Sequence, residues 1–181
     1  MPGHLVILSG PSGVGKDTVL DAWTKRNPRV QRVVAYTTRP KRAAEVDGVD
    51  YKFVPIERFR NLIAAGAFLE FKEVFGNLYG TPLADMDEML VEGKVAVLKI
   101  DVQGALTVMK LREDALTVFI MPPSFEELER RIRERATDAP EVIERRLRTA
   151  RDEIALAPEY RHVIVNRKVE DVVETLQALV S

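Results

Sequence analysis

The chain has 181 residues, 46% hydrophobic and 30% charged, a size that fits one domain with a small insertion and a balance that excludes a disordered tail or a fibrous repeat. Its 28 acidic and 27 basic residues leave a formal charge of -1, which argues against wrapping nucleic acid or an anionic membrane and restricts any bound polyanion to a small one held by local charge. With no cysteine and only His4 and His162, disulfides, thiolate nucleophiles and cysteine metal sites are excluded and little histidine chemistry is left.

Along the chain, Leu5–Leu8 reads as a strand running into a helix from about Gly15. Val33–Arg39, Tyr51–Val54 and Phe68–Phe75 are strand-like, with one helix over Pro55–Ala65 that Gly66 ends. Val95–Ile100 leads into a helix from about Val102, and Thr117–Met121 leads into Pro122-Pro123-Ser124. Ser124 is followed three residues later by Glu127, the spacing of a capping box. The charged stretch that follows, up to Ala157, reads as two helices with a break at Thr137–Pro140. His162–Val165 is the last strand, and the closing helix from about Val169 sets Val172, Leu176 and Leu179 close to one face.

This alternation implies an α/β fold with a parallel sheet flanked by helices. The expected division puts residues 1–34, 82–123 and 158–181 in the core, 35–81 in an inserted mixed subdomain and 124–157 in a helical flap. The longest apolar run, Leu62–Leu69, is broken at Gly66 and falls far short of the ~20 residues that span a bilayer. Met1-Pro2-Gly3-His4 carries no basic leader pattern, so the expected location is cytoplasmic, with neither membrane nor nucleic acid as partner.

Gly10-Pro11-Ser12-Gly13-Val14-Gly15-Lys16 follows the first strand and opens the first helix, the setting of a phosphate-binding P-loop. Glycines let backbone N–H groups converge on phosphate oxygens, the helix N-terminus adds positive potential, and Lys16 reaches the terminal phosphates as a point charge. Where the pattern has a serine or threonine for Mg²⁺, this chain has Asp17, with Thr18 next. A carboxylate beside phosphates is repelled unless a metal lies between them. Either Asp17 ligates Mg²⁺, or it points away and Thr18 serves.

Further motifs stand in order along the chain: Thr37-Thr38-Arg39, Glu45-Val46-Asp47-Gly48-Val49-Asp50-Tyr51, Phe68-Leu69-Glu70, Gly76-Asn77-Leu78-Tyr79-Gly80-Thr81 and Ile100-Asp101-Val102-Gln103-Gly104. Together they resemble guanylate kinase over essentially the whole chain. The resemblance implies ATP and Mg²⁺, GMP as the acceptor, and a place in purine nucleotide metabolism. It makes 35–81 a GMP-binding subdomain and 124–157 a lid with its adjoining helix.

By the same resemblance Arg39, Arg42, Tyr51 and Tyr79 match the positions that hold the acceptor phosphate, and Glu70 the guanine-reading carboxylate. Guanine shows two N–H donors beside the O6 acceptor, so Glu70 can accept twice, Thr81 can donate to O6 and Asp101 can accept from N2. Adenine has an acceptor nitrogen at that edge and would be repelled. Ala35 stands where the family has a serine, whose lost phosphate contact should weaken GMP binding by ~1–3 kcal/mol.

Between Glu126 and Arg148 seven acidic residues face seven arginines. Glu126/Arg130, Glu127/Arg131, Glu129/Arg133, Glu141/Arg145 and Glu144/Arg148 have the i, i+4 spacing of surface pairs. Arg135 and Arg146 have no acidic residue four positions away on either side, a pattern that suggests an anion to be bound. Arg131, Arg135 and Arg146 match lid and core arginines around the transferring group, so Lys16, Arg39, Arg131, Arg135 and Arg146 are the expected catalytic charges. Glu134 and Ala136 stand where the family lid has glycines. Asn166 matches the adenine-side contact, followed by Arg167-Lys168 in place of an acidic pair.

Two other readings compete. A Gly-Lys-Asp loop also resembles that of ribose 1,5-bisphosphate kinases, which need no base-reading Glu70, Thr81 and Asp101. A non-catalytic guanylate-kinase-like module would use the acceptor pocket for a phosphopeptide, and the intact Lys16 loop and lid arginines weigh against it. Composition leaves monomer and homo-oligomer equally open.

Overall fold

The computed structural model describes residues 1–135 and 139–181. In chain order the elements are β1 (His4–Ser9), α1 (Lys16–Arg26), β2 (Val30–Arg32), β3 (Tyr36–Thr37), β4 (Lys52–Phe53), α2 (Ile56–Ala64), β5 (Phe68–Val74) and β6 (Asn77–Pro82). There follow α3 (Leu83–Val91), β7 (Val95–Lys99), α4 (Val102–Leu111), β8 (Leu116–Met121), α5 (Phe125–Arg135), α6 (Pro140–Ala155), β9 (His162–Val165) and α7 (Val169–Leu179).

Five parallel strands form the main sheet in the order β2-β7-β1-β8-β9. Its middle strands are covered on both faces, so they read as continuous rather than alternating apolar runs. From one face Val6, Leu8, Val97 and Ile120 pack with Trp23 of α1 and with Val172 and Leu176 of α7. From the other, Leu5, Ile7, Leu98 and Phe119 pack with Met86 of α3 and with Ala105 and Val108 of α4. Trp23 is fully buried and its indole N–H donates to Gln177 at 3.2 Å. Each such side chain contributes about 1.5–3 kcal/mol by leaving water.

The second sheet has the order β4-β3-β6-β5, with β3 and β4 parallel and the other pairs antiparallel. The β5–β6 hairpin turns at Phe75 and Gly76, whose φ angles are 49° and 79°, positive at both turn positions as a tight two-residue hairpin requires.

The expected strand Val33–Arg39 shrinks to Tyr36–Thr37, while Val30–Arg32 joins the edge of the main sheet and Asn77–Pro82 pairs on both sides. Three residues are too few to show periodicity, and Gly80 and Pro82 are weak strand formers whose pairing overrides local preference. The backbone N–H of Glu127 donates to Ser124 Oγ at 3.1 Å, half of the expected capping box, because the Glu127 carboxylate turns to Arg130 and Arg131. Glu127–Arg131 and Glu129–Arg133 form as anticipated. Arg130 pairs with Glu127 and Glu134 instead of Glu126, and Glu144 reaches Arg133 of the neighbouring helix instead of Arg148. Leu128 and Ile132 of α5 pack on Leu147 and Ala150 of α6 and hold the two helices together. The expected break at Thr137–Pro140 and the lid corner at Ala136 lie largely outside the described residues, after which Pro140 opens α6 at its first turn. Among the described residues no helix is long and apolar enough to cross a membrane.

Candidate active site

The turn from β1 into α1 lines one wall of a cavity of about 540 Å³ through Pro11, Ser12, Gly13, Gly15, Lys16, Asp17 and Thr18. A Cβ at Gly10 would stand 2.5 Å from the Ile120 carbonyl oxygen, and Gly15 has φ 98°, so the loop's path against β8 and into α1 demands glycine at both positions. Val14 is buried and tethers the loop to the core. The Lys16 ammonium folds back onto the Gly10 carbonyl. Burial pulls its pKa down to about 8, against the opposing charges of Glu153, Asp17 and Asp101.

Asn166, at the end of β9, is buried and donates to the Val14 carbonyl at 2.8 Å. It therefore braces the loop from behind. Asp17 projects from the first turn of α1 and pairs with Lys99 at the end of β7. Burial raises its pKa, but the hydrogen bond and charge of Lys99 outweigh this and hold the carboxyl below its usual range. Among the described residues no group of three or more acidic or imidazole side chains could hold a metal alone. One ionised carboxylate and a neighbouring threonine nevertheless suit Mg²⁺, which takes its other ligands from phosphates and water.

A second cavity, of about 210 Å³, opens between the two sheets and shares Val74 and Asp101 with the first. At one end Glu70 of β5 accepts from Thr81 Oγ of β6 at 2.8 Å, and burial pushes the Glu70 carboxyl up. Asp101 caps α4, accepting from the Gly104 N–H at 3.0 Å, and also pairs with Lys72. A Cβ on Gly104 would lie 3.2 Å from Asp101, 3.5 Å from Glu70 and 3.5 Å from Lys72. Two carboxylates and an ammonium thus crowd one point.

Toward the other end, the Tyr51 and Tyr79 rings meet edge to face at 5.8 Å, and the Arg39 guanidinium stands 5.4 Å from the Tyr51 ring. Arg39 is held by both Glu45 oxygens, at 2.6 and 3.0 Å. That bond drops the Glu45 pKa to about 2 and raises that of Arg39. Arg42 is exposed, and its backbone N–H also donates to Glu45, at 2.8 Å. Ala35 lines this cavity with a methyl group.

Of the flap arginines, Arg135 lines the first cavity and Arg146 donates to Ser12 Oγ at 3.3 Å. Arg131 is engaged by Glu127 at 3.0 Å. Sequence reasoning overlooked Lys72, Lys99 and Glu153, all on cavity walls. Lys72 had a usable signal, since it lies two residues after Glu70 and so on the same face of β5.

A family model described as guanylate kinase matches residues 3–181. The guanylate kinase of Gloeobacter violaceus is 49% identical over 176 residues, covering 97% of this chain and 86% of that one. The guanylate kinase of Thermobifida fusca is 46% identical over 180 residues, covering 99% and 92%. The crystal structure of guanylate kinase from Anaplasma phagocytophilum superposes with a TM-score of 0.80 at 36% identity, covering 99% of this chain and 85% of that one. Both cavities lie within the matched span, and the chain belongs to the guanylate kinase family.

Proposed function

We propose that the chain transfers the γ-phosphoryl group of ATP to GMP, giving ADP and GDP, as a cytoplasmic enzyme of purine nucleotide metabolism. The observation that carries this reading is the meeting of Glu70, Thr81 and Asp101 in a cavity that adjoins the P-loop cavity at Asp101 and Val74. Guanine fits these groups: Glu70 accepts from N1–H and N2–H, Thr81 turns its hydroxyl to O6, and Asp101 takes the remaining N2 proton. A kinase for a sugar phosphate has no use for them.

The acceptor phosphate has its second pKa at ~6 and is mostly a dianion at pH 7, so no general base is required. The bond between the γ-phosphorus and the bridging oxygen breaks as one acceptor oxygen attacks in line, and the electron pair leaves on ADP. Arg39 exchanges Glu45 for the acceptor phosphate as a planar fork, with Arg42, Tyr51 and Tyr79 completing that end. Lys16 leaves the Gly10 carbonyl for the β- and γ-phosphates. Arg131, Arg135 and Arg146 neutralise the charge that spreads in the transition state. Asp17 and Thr18 would hold Mg²⁺, which supplies charge neutralisation on the phosphates. Asn166 holds the loop, and the adenosine end of ATP, in place.

A coupled assay with ATP, Mg²⁺ and one acceptor at a time tests the reading. GMP should be preferred over AMP by ~10⁴-fold, since the wrong base leaves buried polar groups unpaired, with UMP and ribose 1,5-bisphosphate inert. Failure to form GDP would overturn it.

A further inference from the structure

Lys99 ends β7, beside Leu8 of β1 in the parallel register. Its side chain is only 15% exposed, and it lines the acceptor cavity together with Ala35, Tyr51 and Tyr79. Its ammonium nevertheless reaches Asp17, a residue of the P-loop cavity. Lys99 thus stands at the wall between the two cavities, on the side where the acceptor phosphate must meet the donor. The base-reading end has its own lysine, Lys72, already paired with Asp101.

Three observations point to a job for this ammonium. The Asp17 side chain is 72% exposed, so water competes for it and the pair is weakly held. A lysine stem is flexible and its three donors adapt to a new oxygen partner without fixed geometry. The acceptor cavity offers a methyl at Ala35, and Arg39 must first give up Glu45, so a dianion arriving there gains from a further cation. Resting on the reading of the acceptor as GMP, we propose that Lys99 is an acceptor-phosphate contact: its ammonium turns from Asp17 to the GMP phosphate and holds it toward the P-loop.

Calorimetric titration with GMP and with guanosine, without ATP or Mg²⁺, tests this on wild type, Lys99→Met and Lys99→Arg. The Met variant should bind GMP about ten- to a hundredfold more weakly, the value of a charge-assisted contact, while guanosine binding stays within about twofold and Lys99→Arg recovers most of the loss. Unchanged GMP binding in Lys99→Met, or equal losses for GMP and guanosine, would overturn the proposal. Should Lys99→Met not fold, as followed by the fluorescence of buried Trp23, Asp17→Asn serves instead. With its anionic partner neutralised, Lys99 should bind GMP severalfold more tightly without metal, and unchanged or weaker binding refutes the role. Wild type that takes up guanosine but gains nothing from the phosphate also counts against Lys99. Wild type that binds neither compound overturns the GMP reading itself.

Discussion

Replacing Glu70 by glutamine keeps the shape of the acceptor pocket and removes a single charge. Before GMP enters, Thr81 donates to the carboxylate at 2.8 Å; once the hydroxyl has turned to O6, the carboxylate can accept both N1–H and N2–H of guanine. Glutamine has one acceptor oxygen, and its NH₂ group must then face a guanine donor. With each charge-assisted bond worth ~1.5–3 kcal/mol, losing one and opposing two donors costs about 3–5 kcal/mol, or roughly 10²- to 10⁴-fold in kcat/KM for GMP. Folding should not suffer. The Glu70 pKa is raised by burial, so the folded chain prefers the proton, the ionised carboxylate disfavours folding at neutral pH, and that cost fades as pH falls through the raised value. Glu70→Gln should therefore melt at the same temperature as wild type or slightly higher at pH 7. KM for GMP in the wild type should begin to rise at a pH above the ordinary carboxylate range, a rise absent from the variant. A loss under tenfold in kcat/KM, in a variant that melts like wild type, would refute the assignment of Glu70 as the guanine reader.

Ala35→Ser restores a hydroxyl to the acceptor cavity and should lower KM for GMP by about five- to a hundredfold, the ~1–3 kcal/mol of one hydrogen bond to an anion, in steady-state kinetics at saturating ATP. Asn166→Ala leaves the buried Val14 carbonyl without its 2.8 Å donor; thermal unfolding should show a loss of about 1–3 kcal/mol, and KM for ATP should rise as the loop loosens. Glu45 is held at about 2 by Arg39, so its contribution to folding is present above its unfolded value near 4.5 and vanishes as pH falls toward 2. The stability gap between wild type and Glu45→Gln, measured by Trp23 fluorescence, should be widest above pH 5 and close on acidification; a gap independent of pH would contradict the ion pair.

The main sheet was legible because each central strand is a short apolar run bracketed by helical patterns, as in Leu5–Leu8 and Val95–Lys99. The P-loop was legible because the backbone itself requires glycine at fixed spacings. Glu70, Thr81 and Asp101 carried no local signal, and resemblance alone singled them out. β2 and β6 escaped notice because one is three residues long and the other holds Gly80 and Pro82. Lys99 looked like an ordinary charge ending an apolar run, since its partner Asp17 is 82 positions away. Likewise Glu45 meets Arg39 through a loop with no period to betray it.

Lys52 of the small sheet grips Asp85 of α3, and Lys72 grips Asp101 ahead of α4. Leu69 adds an apolar contact with the core, but much of the seam between the two sheets consists of opposite charges within reach of solvent. The charged part of this joint parts at little cost, because water rehydrates each ammonium and carboxylate as they separate. Its tightness follows ionic strength: dissolved salt, with a screening length of ~8 Å at physiological concentration, competes for both halves. High salt should therefore weaken the Lys52–Asp85 and Lys72–Asp101 pairs and low salt strengthen them.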